Sequence, residues 1–446
     1  MKSIDGSQII DIFKNNCTYN LINKFGDIKL RHRQDGITIP SIIYYCLSYC
    51  SIDKTKDAIS SHINSLLGTR FTRQAFESKS KHISINFYAH ILYQLINLHN
   101  AFDNSPIQLV AFDGIYNLDL DYNQVLNIGI FDVTNQIPID IKSFGKNGKN
   151  KEISSVITYI EDNIEKFDPN KVIFVGDRAY FSYNFIYFLI RHNFKFIIRG
   201  KGDCLNLENA NLPKNTPKYK LIKKIQQYVR IIRSTREKEK ILIAGKKINK
   251  NKLVVRETVD CNLITNIPAD TYDDITIRNH YNSRWDIEVF YKYLRYNFKF
   301  NKLDPNEVEK MYTCHLILIY LEKILEKYYI SKNENVLAMK DGYIKKINKT
   351  LLTTGIIDDL LFKLLHEPFT AQQLDLFCTT HIKITINKKG RKFPRNSKLP
   401  FSKWYIKGYS EITKYLKIYS AILNNKTNTL NKNLKMLMQN IITINI

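Results

Sequence analysis

What this sequence lacks narrows its class quickly. No apolar run approaches the roughly 18 residues a membrane span requires, and the opening Met1-Lys-Ser-Ile-Asp runs into polar residues, so neither a transmembrane helix nor a signal peptide is expected. Cysteine is sparse: seven residues, at 17, 46, 50, 204, 261, 314 and 378, odd in number and scattered. Cys46 and Cys50 are too far apart for C-x-x-C, and no His or Cys pair has zinc-site spacing. The cysteines therefore read as reduced core residues of a soluble, intracellular protein. The ten His show no paired spacing. No nucleotide cofactor is expected either, because Gly145-Lys-Asn-Gly148-Lys-Asn lacks the GKS or GKT ending of a phosphate loop and reads as a basic turn. Internal repeats are absent.

The remaining shortage is of acids. Against 67 Lys and Arg there are 42 Asp and Glu, a net charge of +25, which is far more than solubility needs and points to a polyanionic partner. AT-rich coding inflates Lys but does not explain the excess of bases over acids. Twenty-eight Tyr add groups on which bases can stack. With 446 residues, 44% of them hydrophobic, the chain can bury a large core in two or three domains.

Along the chain, residues 1–105 read as helical. Ile9, Ile10 and Phe13 recur at helical spacing, as do Ile59, Ile63 and Leu66/Leu67; Gly68 closes the second helix and Thr72 caps the next. A helix pair with a short Gly turn suits DNA through Arg70, Arg73, Lys79 and Lys81, although such pairs more often only pack. Over 106–200 the pattern becomes α/β. Ile107–Asp113 is a short apolar run ending in Asp-Gly, and strands follow at Val125–Val133 and Ile137–Lys142 with Asn135 and Gln136 between them. A helix over Glu152–Lys166, a second apolar run Lys171–Asp177 ending in Asp, a Ser182-capped helix to Ile190 and a strand Phe194–Arg199 complete a mixed sheet with helices on its faces. Residues 201–275 read as a β-rich insertion, very basic through Lys220, Lys223, Lys224, Arg230, Arg233 and Arg236, with strand-like runs at Tyr228–Ile232, Ile241–Ile243, Leu253–Val255 and Leu263–Ile267. Residues 276–330 return to the core, and 331–446 are basic and mainly helical.

The stretch Tyr281–Arg295 organises the rest. Read as one helix, at roughly 100° per residue, it aligns Tyr281, Arg284, Glu288, Lys292 and Arg295 on a narrow stripe beside an apolar flank of Ile287, Phe290, Leu294 and Phe298. An amphipathic surface helix with i,i+4 ion pairs explains Arg284–Glu288–Lys292. It does not explain the Arg-Trp pair beside the acid, or the Asp residues closing two buried runs. Asp113, Asp177 and Glu288 come from separate elements that this fold order can unite. Three carboxylates within a few ångströms repel unless a cation neutralises them. All-oxygen ligands favour Mg²⁺, with Mn²⁺ able to substitute, over zinc. Two such ions, roughly 3.5–4 Å apart, support in-line phosphoryl transfer. Asp119, Asp121, Asp132 and Asp140 compete for the first acid's place, but only Asp113 ends a buried run before Gly; Asp286 points to another helix face, and His280 reads as a helix-start residue.

Asp113-Gly, Val175-Gly-Asp177-Arg-Ala-Tyr180 and Tyr281-x2-Arg284-x3-Glu288-x6-Arg295 together resemble the DDE transposases of bacterial-type insertion sequences, the cut-and-paste group with a Y-x2-R-x3-E-x6-K signature. The similarity extends to Arg199, the run Leu263-Ile-Thr-Asn266 and the loop Arg391-x-x-Pro-Arg395. It implies an RNase H-like core split around the β insertion, cleavage at the ends of a mobile element, and strand transfer into target DNA by a synaptic homodimer. Asp113, Asp177 and Glu288 take the metal-ligand roles. Tyr281, Arg284 and Arg295 grip the terminal phosphates, and Arg178 and Tyr180 support the second acid; Lys292, on the same helix stripe, is read as a further DNA contact. Arg295 stands where the family has Lys, keeping the charge with fork geometry. The insertion has no Trp, on which hairpin-forming relatives stack a flipped base; Tyr228 is the aromatic that could take its place. The competing readings are a copy that only binds DNA and an RNase H-like nuclease without strand transfer.

Replacing Arg391 and Arg395 by Ala is expected to weaken DNA binding and reduce the slope of log affinity against log salt by about one for each phosphate no longer neutralised. A fluorescence-anisotropy salt series checks this; an unchanged slope places the DNA path elsewhere.

Overall fold

The computed structural model describes residues 5–16, 24–25, 36–51, 53–101, 105–118, 124–144, 152–200, 205, 213–242, 253–298, 307–333, 336–337 and 343–388. For 115–118, 124–125, 234–242, 253–261, 344 and 387–388 it describes the backbone alone. The loop bearing Arg391 and Arg395, the basic turn at 145–150 and the stretch beyond 398 lie outside the described residues.

The N-terminal helices are α1 (Gly6–Asn16), α2 (Ile39–Tyr49), α3 (Lys56–Leu67), α4 (Arg73–Lys81) and α5 (Ile85–Ala101). Their ends follow local chemistry. The Thr38, Thr55 and Thr72 hydroxyls accept from the backbone N–H of Ser41, Ala58 and Ala75, and Gly68 closes α3 at φ +64°. Arg73, at the start of α4, is engaged by Asp57 and Glu77.

Next come β1 (Gln108–Leu118), β2 (Gln124–Asp132), β3 (Ile137–Ser143), α6 (Glu152–Asp162), β4 (Val172–Gly176), α7 (Tyr183–Arg191), β5 (Lys195–Arg199), α8 (Pro217–Gln226), β6 (Arg230–Leu242) and β7 (Leu253–Thr265). These strands form one seven-stranded sheet in the order β3-β2-β1-β4-β5-β7-β6. β4 runs parallel to β1 and β5, and the other pairs are antiparallel. The period-2 alternation of β1 divides two cores. Leu109 and Ala111 join Ile173, Val175 and Ile197 against the N- and C-terminal helices, whereas Val110 and Phe112 join Phe174, Phe196 and Ile198 against α6, α7 and α8. The helices of 1–105 thus share a core with the sheet, and the described elements up to Ile386 belong to one compact unit.

The region read as a β-rich insertion departs from expectation. Lys220, Lys223 and Lys224 lie on a helix, α8, capped by Thr216. The four strand-like runs are the ends of two 13-residue strands, and β7 pairs with β5, so the hairpin extends the central sheet. At its base Arg230 donates to the Ile267 carbonyl (2.8 Å) and to the Asp274 carboxylate (2.7 Å).

The chain then forms α9 (Asp274–Ser283), α10 (Trp285–Asn297), α11 (Val308–Lys332), β8 (Tyr343–Ile347), α12 (Lys349–Gly355), a π-helical turn Ile356–Leu360, α13 (Leu361–His366), α14 (Ala371–His381) and β9 (Ile384–Lys388). β8 and β9 pair as a small sheet in a region whose sequence reads as mainly helical. No described helix is long and apolar enough to cross a membrane. Cys46, Cys50, Cys314 and Cys378 are free and buried.

Glu322 on α11 is fully buried, where it accepts hydrogen bonds from the hydroxyls of Tyr293 and Thr353. Burial, reinforced by nearby Glu326 and opposed by Lys349, pushes its carboxyl up to about 7. A raised folded pKa means the native protein holds a proton that the unfolded chain releases above about 4.3. Its contribution is full below that value and is lost as pH rises through 7. Glu322→Gln, which keeps the acceptor, is expected to match wild type near pH 4 and to be the more stable protein above pH 7, as read by denaturant unfolding across that range.

Candidate active site at the edge of the sheet

The register of the parallel pair β1–β4 decides where the first two acids stand. Ala111 is level with Val175, and both side chains enter the same core. Two residues further on, with side-chain parity unchanged, are Asp113 and Asp177. The apolar run predicts that the first strand ends at Asp113; instead β1 continues to Leu118, and Asp113 pairs with Gly129 of β2. What ends there is β4: the chain leaves the sheet at Gly176, and Asp177 caps a short 3₁₀ turn by accepting from the Ala179 N–H at 2.7 Å. Asp113 is therefore left without a β4 ladder partner on one flank.

The third acid arrives on α10, and its position is set by a single contact. The Tyr291 hydroxyl donates to the backbone carbonyl of Asp113 at 2.7 Å, with its ring buried over Gly129. A Cβ at Gly129 would overlap that hydroxyl, so only glycine lets the helix approach the sheet here. Phe131 and Phe290 stack beside it with ring centroids 5.0 Å apart. Glu288, one turn before Tyr291, is held to the same edge.

The single helix expected over Tyr281–Arg295 is two. α9 and α10 meet at Arg284, where the bonds tighten to i→i−3: Arg284 N–H to Tyr281 carbonyl and Ile287 N–H to Arg284 carbonyl, both 3.2 Å. No Pro or Gly marks the joint. The stripe consequently divides. Tyr281 is buried in the core, Arg284 and Glu288 are half-buried and joined at 2.9 Å, and Lys292 is exposed with its ammonium 5.7 Å from the Trp285 ring centroid rather than continuing the ion-pair ladder. Arg284 Nε and Arg295 Nε are buried without a hydrogen-bond partner among the described residues. Arg178 is exposed beside Asp177. His280 lies in the last turn of α9 against Tyr272, not at a helix start.

Electrostatics tie the acids together. Burial pushes the Asp113 carboxyl up to about 7; Arg284 opposes the shift, and Asp177, Glu152 and Glu288 add to it. Tyr180, expected to brace Asp177, instead donates to Glu152 Oε1 at 2.7 Å. Glu152, on the first turn of α6, is the group the sequence did not single out. Among the described residues no three acids, His or Cys converge closely enough to hold an ion in this arrangement. The donor set nevertheless suits a hard divalent cation, because its members are carboxylates and the buried one is disfavoured as an anion without a compensating charge. Arg284, paired with Glu288, supplies part of that charge here.

A family model for the transposase DDE domain matches residues 129–319, a span that holds Asp177 and Glu288 and begins after Asp113. The chain carries a transposase DDE domain. It is thus a DNA transposase, an enzyme of DNA cleavage and strand transfer that depends on divalent cations. No curated protein matches the sequence. In fold the chain is similar to a piggyBac transposase solved as a synaptic complex with hairpin DNA, with a TM-score of 0.44, 10% identity, and coverage of 90% of this chain and 89% of that one.

Gly129→Ala is expected to destabilise the domain by ~1–3 kcal/mol through overpacking, and Tyr291→Phe by ~1 kcal/mol through the lost hydroxyl hydrogen bond to a carbonyl that also pairs with Gly129 in the β1–β2 ladder. The double variant should lose less than the sum, because removing the hydroxyl relieves part of the overlap. Urea unfolding of the four proteins as a double-mutant cycle checks this, and strict additivity would rule out the close approach of the two residues.

Proposed function

We propose that this transposase holds Mg²⁺, or Mn²⁺ in its place, between Asp113, Asp177 and Glu288, and uses it to cut the ends of a mobile element and join them to target DNA. The observation that supports the reading is that β1 and β4 pair in register as far as Ala111 and Val175, two residues before Asp113 and Asp177, while Tyr291 anchors the helix bearing Glu288 to the carbonyl of Asp113. When bound there, divalent cations activate the attacking oxygen and stabilise the leaving one. The protein's own part is positional and electrostatic. Arg284 exchanges its bond to Glu288 for a terminal phosphate of the DNA, which frees Glu288 to turn toward the two Asp residues. Arg295, with an unbonded Nε, and exposed Arg178 grip the backbone to either side.

The solvent face of α10 favours the same path for DNA. Trp285, Val289, Lys292 and Tyr296 fall on one stripe, with Trp285 40% and Tyr296 67% exposed, so base stacking and phosphate contact are both available next to Glu288. The buried Tyr281 ring leaves its hydroxyl as the group that would reach a phosphate, close to Arg284. Tyr228, 52% exposed just before β6, is the aromatic that would receive an extruded base. A homodimer would pair two element ends for concerted joining.

Asp113→Asn, Asp177→Asn and Glu288→Gln are each expected to reduce Mg²⁺-dependent cleavage of element-end DNA by on the order of 10³-fold or more, since the cations contribute several kcal/mol, while leaving DNA affinity nearly unchanged. Wild-type protein that binds the same DNA but cuts it with neither Mg²⁺ nor Mn²⁺ would support the copy that only binds.

A further inference from the structure

Glu152 stands outside the three acids, and nothing in the transposition reading requires it. Its surroundings are specific. The carboxylate lies directly against the backbone of Gly114, close enough that a Cβ there would overlap Oε1 and push the carboxylate out of its place. The same Oε1 accepts from Tyr180, whose side chain is fully buried three residues after Asp177. One carboxylate therefore touches β1 immediately beyond the first acid and holds the turn that carries the second. It does so from the face opposite Asp113, since Gly114 alternates with it along the strand.

β1 and β4 have no ladder contact of their own at this level. Their pairing ends at Ala111 and Val175, two residues short of the acids. The Asp177 turn would otherwise be free to pivot about Gly176. Tyr180 and Glu152 bridge that interval, with the buried Tyr180 ring wedged beneath Phe112 (centroids 6.2 Å apart).

Resting on the metal-site reading above, we propose that Glu152 is a positioning residue: acting through Tyr180 and Gly114, it fixes the separation of Asp113 and Asp177 and so sets the affinity of the site for divalent cations, without itself touching the ion. Groups of this kind behind metal ligands are worth about 10–100-fold in metal affinity when removed.

The test is Mn²⁺ binding by the full chain without DNA, followed by the loss of the free-ion EPR signal, on wild type and four variants. Glu152→Ala and Tyr180→Phe should each weaken binding by about tenfold or more. Glu152→Gln keeps an oxygen that accepts from Tyr180 and should stay within about threefold of wild type, by the same reasoning. Asp113→Asn, which removes a direct ligand, should lose binding altogether. If Glu152→Ala cannot fold, Tyr180→Phe deletes one atom of the same bridge and carries the comparison. Glu152→Gln falling as far as Glu152→Ala would overturn the proposal in favour of a direct role for the charge. Mn²⁺ affinity unchanged in both Glu152→Ala and Tyr180→Phe would also overturn it, leaving the three-acid site intact. A wild type that binds no Mn²⁺ would sink the metal site and this role with it.

Discussion

The hydroxyl of Tyr291 on the carbonyl of Asp113 is the contact on which the proposed catalytic edge depends. The three acids come from a strand, the turn after a second strand and a helix, far apart in sequence, and burial of apolar surface alone positions a helix on a sheet only loosely. A hydrogen bond to the backbone of the very residue that supplies the first acid removes the remaining freedom. The absent side chain at Gly129 lets the bond form, and the Phe131–Phe290 stack sets the angle of approach. Position on this edge is specified by backbone and glycine, not by the acids themselves, which repel one another.

That repulsion gives the resting site its character. Asp113 is buried among like charges, Glu288 one of them, and is held toward its protonated form, while Glu288 is paired with Arg284. The arrangement is stable as a protein and incomplete as a metal site. On the proposed reading, a cation would enter between the acids on its own, and a DNA phosphate that competes for Arg284 would free Glu288 to hold it more tightly.

Sequence was informative where burial and chemistry coincide in one run. The apolar segments before Asp113 and Asp177 announced strands and their acids, and Gly68 and Thr72 announced a helix end and a helix start. It was silent where a feature depends on a partner. Glu152 looks like any first-turn acid of an amphipathic helix until Tyr180 and Gly114 are folded onto it. The break at Arg284 has no Pro or Gly to mark it. The middle of β6, Arg236-Glu237-Lys238-Glu239-Lys240, has no apolar period at all, so its strand character comes from thirteen rungs of pairing with β7. The α8 helix was obscured because its Lys residues read as part of a β-rich stretch, although Thr216-Pro217 is a helix-start signal.

The Arg230 clamp has a mechanical consequence. It fastens the foot of the β6–β7 hairpin to the Ile267 carbonyl and to Asp274, the first residue of α9, while β7 itself is laced to β5. A long ribbon stitched at its base to both the sheet and the segment leading into Arg284 works as a lever with a short inner arm. A strand of DNA pulling on the outer end would deliver torque to the α9–α10 joint, where the ladder is already tightened and the ion pair that restrains Glu288 is held.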